Sequence, residues 1–326
     1  MNYRYFIGPM SKNVVDTIID FCEEHNQFIG LIPSRRQVEW DGGYVNHKWK
    51  TGDFSNYVRS KTNKIILERD HSGPGQGRND DSGFESLKND CYHLDMIHID
   101  PWKKYSKYED GLKHTVDMIV YCNSINPNLF YEVGTEESIR RFEVEDLERL
   151  ILDLKLNVGD SLFNKIKYLV IQSGTSLKGN IQTGNYDRSR LCSMVGVAKR
   201  YGLLSKEHNG DYIPVDIIRE KFSLGLDSIN IAPEFGLIET QTYLDHIEDV
   251  ETFNNFWTIC YESRKWEKWV NKEFDPITKK EDLIKICGHY VLTESNFISK
   301  IKNKFPNIDN DIKSNIKNKL NELFGY

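Results

Sequence analysis

Along most of the chain a short apolar run is followed by a polar tip. A longer segment then has apolar positions recurring every three to four residues. The short runs are Tyr5–Gly8, Phe28–Ile32, Ile65–Leu67, Met96–Pro101, Leu129–Gly134, Tyr168–Gln172, Leu203–Lys206 and Ser228–Ala232. They are continuous rather than alternating, as expected of strands buried on both faces of a parallel sheet. The longer segments read as amphipathic helices. Val14, Val15, Ile18, Ile19 and Cys22 share one face behind a cap at Ser11, and residues 187–202 end on Gly202 as a C-terminal glycine. Eight such alternations predict an α/β protein, a (β/α)8 TIM barrel over residues 1–240 rather than an open doubly wound sheet. After about Gly236 the pattern turns all-helical and carries Trp257, Trp266 and Trp269. Residues 241–326 are therefore expected to form a helical C-terminal extension. Ile301, Phe305, Ile308, Ile312, Ile316, Leu320 and Phe324 are its packed stripe, against the barrel or a second subunit.

In such a barrel the chemistry gathers where strands give way to loops at their carboxyl ends. The third strand leads into Glu68-Arg69-Asp70-His71-Ser72-Gly73-Pro74, an acid beside an imidazole before a glycine-rich loop. His208 follows the seventh strand, and Glu132 lies at the end of the fifth. Two imidazoles and a carboxylate from different strands suit a divalent metal, and zinc fits the donor types. His71, His208 and Glu132 are the expected ligands. Such an ion chelates a hydroxy-ketone and stabilises the enediolate formed when a carbon–carbon bond breaks or a C–H proton leaves. Asp70 is then the expected proton carrier, with Glu132 a ligand or second base. His98 lies mid-strand and is read as structural, whereas Asp100 on the same face is nearer the tip and is read as a site residue. Arg35 and Arg36, with Gln37 at the second tip, suit a phosphate or carboxylate. Gly174-Thr175-Ser176 and Gly73–Gly77 offer backbone N–H groups to substrate oxygens. His25, His47, His93, His114, His246 and His289 lie on helices or loops and are taken as non-catalytic.

Composition narrows the partners. The formal charge is −6, with no basic block before the tail, which argues against nucleic acid. No apolar run approaches the length of a membrane span, and the first residues lack a leader pattern, so a cytoplasmic protein is expected. The six cysteines are scattered without C-x-x-C spacing, which reads as reduced thiols.

Three phrases resemble the class II ketose-bisphosphate aldolase superfamily, most of all the accessory Z-type subunit family of D-tagatose-1,6-bisphosphate aldolase. They are Gln37-Val38-Glu39-Trp40-Asp41-Gly42-Gly43-Tyr44, Asp70-His71-Ser72-Gly73-Pro74 and Met96-Ile97-His98-Ile99-Asp100. The tail from Trp266-Glu267-Lys268-Trp269 is similar to that family's closing helical region. The resemblance implies a zinc-dependent, aldolase-like lyase acting on a sugar phosphate or keto-sugar. Asp70 would be the proton-transferring aspartate, and His71 and His208 metal ligands. Glu132 would lie near the metal and Asn230 would contact substrate. It also implies two rivals: an epimerase or isomerase using the same enediolate, and a non-catalytic subunit that stabilises a partner aldolase or a homo-oligomer. The chain departs from the pattern twice. The sixth tip, Gly174–Gly179, lacks a histidine, and Asp211 and Tyr212 replace the small residues that hold phosphate after the seventh strand.

Overall fold

A computed structural model describes residues 3–292 and 295–326. Eight parallel strands close into a barrel: β1 (Tyr5–Ile7), β2 (Ile29–Leu31), β3 (Ile65–Ser72), β4 (Met96–Ile99), β5 (Phe130–Val133), β6 (Ile166–Ile171), β7 (Leu204–Glu207) and β8 (Ser228–Ile231). Each strand pairs with its neighbours in chain order, and β8 closes on β1. Around them lie α1 (Lys12–His25), α2 (Thr51–Arg59), α3 (Phe84–His93), α4 (Tyr108–Ile125), α5 (Val144–Phe163), α6 (Arg188–Arg200), α7 (Val215–Ser223) and α8 (Pro233–His246). The predicted (β/α)8 barrel is the fold. Ser11 caps α1 as expected, its side chain accepting from the Val14 N–H. A short hairpin, Leu177–Lys178 with Ile181–Gln182, interrupts the connection from β6 to α6.

The barrel interior is layered. Phe6, Ile32, Met96 and Tyr168 form a buried apolar floor, separate from the main core between strands and helices. Above it sit Glu68, Glu132 and Lys206, fully buried and ionisable. Above these, near the mouth, are histidines. Gly30 on β2 leaves room for the Phe6 ring, since a Cβ there would come within 2.1 Å of it.

β3 runs to Ser72, well past the apolar Ile65–Leu67 that its pattern suggested. Two charged residues hide inside it because each has a distant partner. Glu68 points inward to Lys206. Arg69 points outward and is fully buried, donating to both Asp90 carboxylate oxygens at 2.6 and 2.9 Å and to the carbonyls of Pro33 and Val38. The strand then slips register between Arg69 and Ser72, and His71 takes φ +43°. A bulge of this kind re-aims side chains at a barrel rim, and here it turns Asp70 and His71 into the mouth.

The remaining helices are α9 (Val250–Glu262), α10 (Lys280–Cys287), α11 (Ser295–Lys304) and α12 (Ile308–Phe324). The expected boundary at residue 240 falls inside α8. α12 packs along α8 and α1. Its Ile308, Ile312, Ile316, Leu320 and Leu323 are buried, and Phe324 contacts the rings of Tyr5 and Phe21. Each such aliphatic contributes about 1.5–3 kcal/mol when fully buried. Deleting residues 305–326 is thus expected to bare an apolar face, with aggregation in light scattering and an early melt. A truncated chain that stays monodisperse and melts with the full chain would show the helix to be dispensable. Among the described residues no helix is long and apolar enough to cross a membrane. All six cysteines are free and all but Cys192 are buried.

Candidate active site at the barrel mouth

Three imidazoles meet where β3, β4 and β7 end. The ring centroids of His71, His98 and His208 are 4.8 to 5.0 Å apart. Together with the Asp70 carboxylate they present ligand-type atoms that all lie within 4.8 Å of one another. One nitrogen of each ring is already committed to an acceptor. His71 Nδ1 faces Asp100 Oδ2 at 2.6 Å, His98 Nε2 faces the Gly134 carbonyl at 3.1 Å, and His208 Nε2 faces Glu132 Oε1 at 2.8 Å. A nitrogen opposite an acceptor carries the proton, so in the neutral ring the other nitrogen keeps a lone pair. Those nitrogens are His71 Nε2, His208 Nδ1 and His98 Nδ1, the last already accepting from the His71 N–H at 3.3 Å. Metal-binding histidines are commonly pinned in this way, the second nitrogen donating to a carboxylate or carbonyl.

Asp70 Oδ1 is buried and has no hydrogen-bond partner among the described residues. It lies 3.6 Å from His71 Nε2 and 3.7 Å from His208 Nδ1. An unpartnered carboxylate oxygen beside two imidazole nitrogens fits a nearby cation, and three nitrogens that leave a fourth position open fit zinc-type coordination. The electrostatics agree. Burial pulls His71 down, but Asp70, Asp100 and Glu136 outweigh it and raise it to about 10, so the carboxylates favour positive charge at this position. Burial, then crowding by His208 and His71, lowers His98 to about 4 against the pull of Glu132, leaving it neutral as a ligand must be.

Beneath the imidazoles the charged layer holds them in place. Glu132 Oε2 is 2.5 Å from Lys206 Nζ, and Lys206 also bonds Glu68. The Lys206 ammonium lies 3.7 Å from the centre of the Phe6 ring. Burial opposes ionisation of Glu132, yet Lys206 outweighs it and holds it well below the usual carboxylate range. Burial and repulsion from Glu132 push Glu68 well above that range. The two shifts run in opposite directions, so of the two carboxyl groups on Lys206 it is Glu132 that the pair favours as the anion.

Above the histidines opens a cavity of about 520 Å³. Of the sequence-predicted residues, Asp70, His71, His208, Gln37 and Asn230 line it. Four others lie elsewhere, for physical reasons. Glu132 does not reach the metal-type cluster, because it is spent on His208 and Lys206. Asp100 is fully buried behind His71, also accepting from Thr135 and the Trp102 N–H, so it orients that ring rather than touching substrate. Arg35 is buried, forked onto Asp81 and Glu39, and Arg36 faces the cavity instead. Gly174 borders a separate depression by the short hairpin, where Asn185 and Gly184 close over it. His98, read as structural, stands inside the cluster. Glu136, which the sequence did not single out, lines the cavity, with Oε2 3.9 Å from His71 Nε2. Its signal was its place two residues beyond Gly134, on the fifth tip. Lys268 and His289 from the extension roof the same cavity, and no local pattern marked them.

No protein-family model and no curated protein sequence matches the chain. Solved structures do. A Sinorhizobium meliloti 1021 protein described as a probable tagatose 6 phosphate kinase aligns over 99% of this chain and 99% of its own, at TM-score 0.76 and 15% identity. A fructuronate-tagaturonate epimerase from Cohnella laeviribosi aligns over 99% of this chain and 81% of its own, at 0.65 and 10%. The YdjI aldolase from Escherichia coli K12 aligns over 92% and 90%, at 0.54 and 11%. At such identities the likeness is one of fold.

Proposed function

We propose that the chain is a metal-dependent, class II aldolase-like enzyme that makes or breaks a carbon–carbon bond in a sugar phosphate or related keto-sugar. The observation that carries this reading is the mouth centre: three imidazoles, each with one nitrogen pinned on an acceptor and the other turned toward an unpartnered Asp70 oxygen or its neighbours, His98 Nδ1 accepting only a long bond from the His71 N–H. His71 Nε2, His98 Nδ1 and His208 Nδ1 would hold the ion, zinc by its donor set. When bound, it would polarise the carbonyl and hydroxyl oxygens of a hydroxy-ketone. Asp70 Oδ1 takes the proton of the substrate hydroxyl on cleavage and returns it on condensation. Glu136 opens onto the same cavity and serves the neighbouring carbon. Asn230 Oδ1, buried and without a partner among the described residues, would accept from a substrate hydroxyl. Glu132 and Asp100 act through His208 and His71. That the proteins of similar fold include sugar-phosphate and sugar-acid enzymes supports the substrate class.

Epimerisation is the second reading, favoured by the fuller superposition of the epimerase fold and by two carboxylates, Asp70 and Glu136, in one cavity. A subunit that stabilises a partner aldolase is the third. Elemental analysis of the purified protein against His71→Ala, His98→Ala and His208→Ala tests the centre. The wild type is expected to hold about one ion per chain and each variant substantially less. Equal metal in all four would sink the metal reading. Incubation with tagatose or fructose bisphosphate, no other protein present, separates the rest. Free triose phosphate marks an aldolase and an epimeric hexose alone marks an epimerase. Turnover only on adding a partner aldolase marks the subunit.

A further inference from the structure

Barrels of this kind often hold a substrate phosphate at the loops after the last two strands, on a helix N-terminus. Here the chain closes that position itself. Asp211 Oδ1 accepts from the N–H groups of Ala232 and Glu234 at the start of α8, both at 2.8 Å. Glu234 accepts from the Tyr212 N–H and pairs with Lys319. The donors are used, and two carboxylates stand where an anion would have to enter.

Across the barrel the balance reverses. Arg36 follows β2, Lys103 follows β4, and Lys268 comes from the turn Glu267–Trp269 of the extension; all three line the mouth cavity. Among the described residues none has a carboxylate within ion-pair distance. Arg36 Nε reaches only the Gly77 carbonyl at 3.4 Å, and Lys103 Nζ the Gly75 carbonyl at 3.1 Å. Lys268 lies over the Trp269 and Tyr290 rings. Nearby cations are otherwise spent: Arg35 on Asp81, Arg78 on Asp41, Lys104 on Asp80 and Arg264 on Glu267. Partial desolvation, then repulsion from Arg36, Lys103 and Lys265, pulls Lys268 down to about 7, although much of its side chain faces solvent. The three charges thus converge with no direct ion pair among the described residues, Lys103 feeling only the more distant Asp100 and Glu136. Arg36 and Lys268 also border a second cavity of about 660 Å³, whose walls carry Lys48 and Lys265 and one carboxylate, Glu267, that is paired with Arg264. A field of one sign in a cleft concentrates anions of the opposite sign.

We propose that Arg36, Lys103 and Lys268 form the subsite for the phosphoryl group of the substrate, moved across the mouth from the position that Asp211 closes. The assignment rests on the reading of the substrate as a sugar phosphate. Three unpaired cations match a dianion better than a monoanionic carboxylate, and the guanidinium can fork two phosphoryl oxygens. The extension then completes the site rather than merely packing on it.

The test is calorimetric titration of inorganic phosphate into chelator-treated protein, so that no metal contributes. Wild type is expected to bind saturably at one site. Lys268→Met and Arg36→Met should each weaken binding about tenfold or more, the scale of one lost charge-assisted hydrogen bond. Lys268→Arg, which keeps a charge-assisted donor, should bind more tightly than Lys268→Met, and Lys104→Met, whose charge is already paired, should bind as wild type. Acetate should bind at least about tenfold more weakly than phosphate. Absent saturable binding in wild type overturns the proposal. So does unchanged phosphate affinity in both methionine variants with intact melting, or acetate binding as tightly as phosphate. Because the protein is metal-free, failure of the metal reading leaves these outcomes untouched. Conversely, Lys268→Met should keep full metal content while losing phosphate.

Discussion

Asp70→Asn is expected to lower turnover by about 10²–10⁴-fold, the usual range for a positioned proton-transfer group, while the melting temperature barely changes. The loop is held by its backbone: the Asp70 N–H donates to the Pro33 carbonyl at 3.0 Å, and Arg69 anchors the preceding turn through Asp90. Neither bond uses the Asp70 carboxylate, whose Oδ1 has no hydrogen-bond partner among the described residues. Asparagine keeps the shape and removes the capacity to accept and return a proton. In barrier terms the loss corresponds to about 3–5 kcal/mol. Three measurements together are decisive: kcat/KM on a cleaved bisphosphate, the thermal midpoint, and bound metal. The proton role predicts low turnover, an unchanged midpoint and metal retained on the three imidazoles. Loss of metal in parallel with turnover would make Asp70 chiefly a ligand. A large fall in melting temperature with activity intact would assign it to the scaffold.

The strands were legible because continuous apolar runs fit only a surface buried on both sides, and the helices because their apolar positions recur at helical spacing. β3 was underestimated for the same reason. Glu68 and Arg69 look like the start of a loop until Lys206 and Asp90, far away in sequence, satisfy them. His98 shows the limit of a local rule. Strand alternation correctly separates it from its isoleucine neighbours, but only closure of the barrel shows that the face it occupies is shared with His71 and His208. Arg35 and Arg36 are adjacent and chemically equal in sequence, and the turn between β2 and α2 decides which is buried on Asp81 and which meets the cavity. Lys268 and His289 arrive from the extension, whose approach to the mouth depends on tertiary packing that no motif encodes.

Lys206→Met should cost about 3–5 kcal/mol of stability, the usual penalty for stranding one member of a buried ion pair. That is a large share of the roughly 5–15 kcal/mol that holds a domain together. Lys206, Glu68 and Glu132 are all fully buried, so water cannot replace the ammonium. Without it Glu132 keeps only His208 as a strong partner, two carboxyl groups crowd one another, and the floor rings of Phe6 and Tyr168 lose the cation above them. The pH dependence follows in sign. Glu132 is depressed in the native state, so the stability it contributes in wild type is present above the unfolded carboxylate pKa and is lost as pH falls through the native value. Lys206→Met removes the leading cause of that depression and should flatten this acid limb. Denaturant midpoints for wild type, Lys206→Met, Glu132→Gln and the double variant form a cycle that isolates the pair. The double variant should recover part of the loss, because removing both charges leaves neither stranded. A Lys206→Met protein as stable as wild type would mean that the charged layer is not what holds the barrel interior. Recovery of stability without recovery of bound metal would show that Glu132 is needed to fix the His208 ring, and so tie the buried ion pair to the chemistry at the mouth.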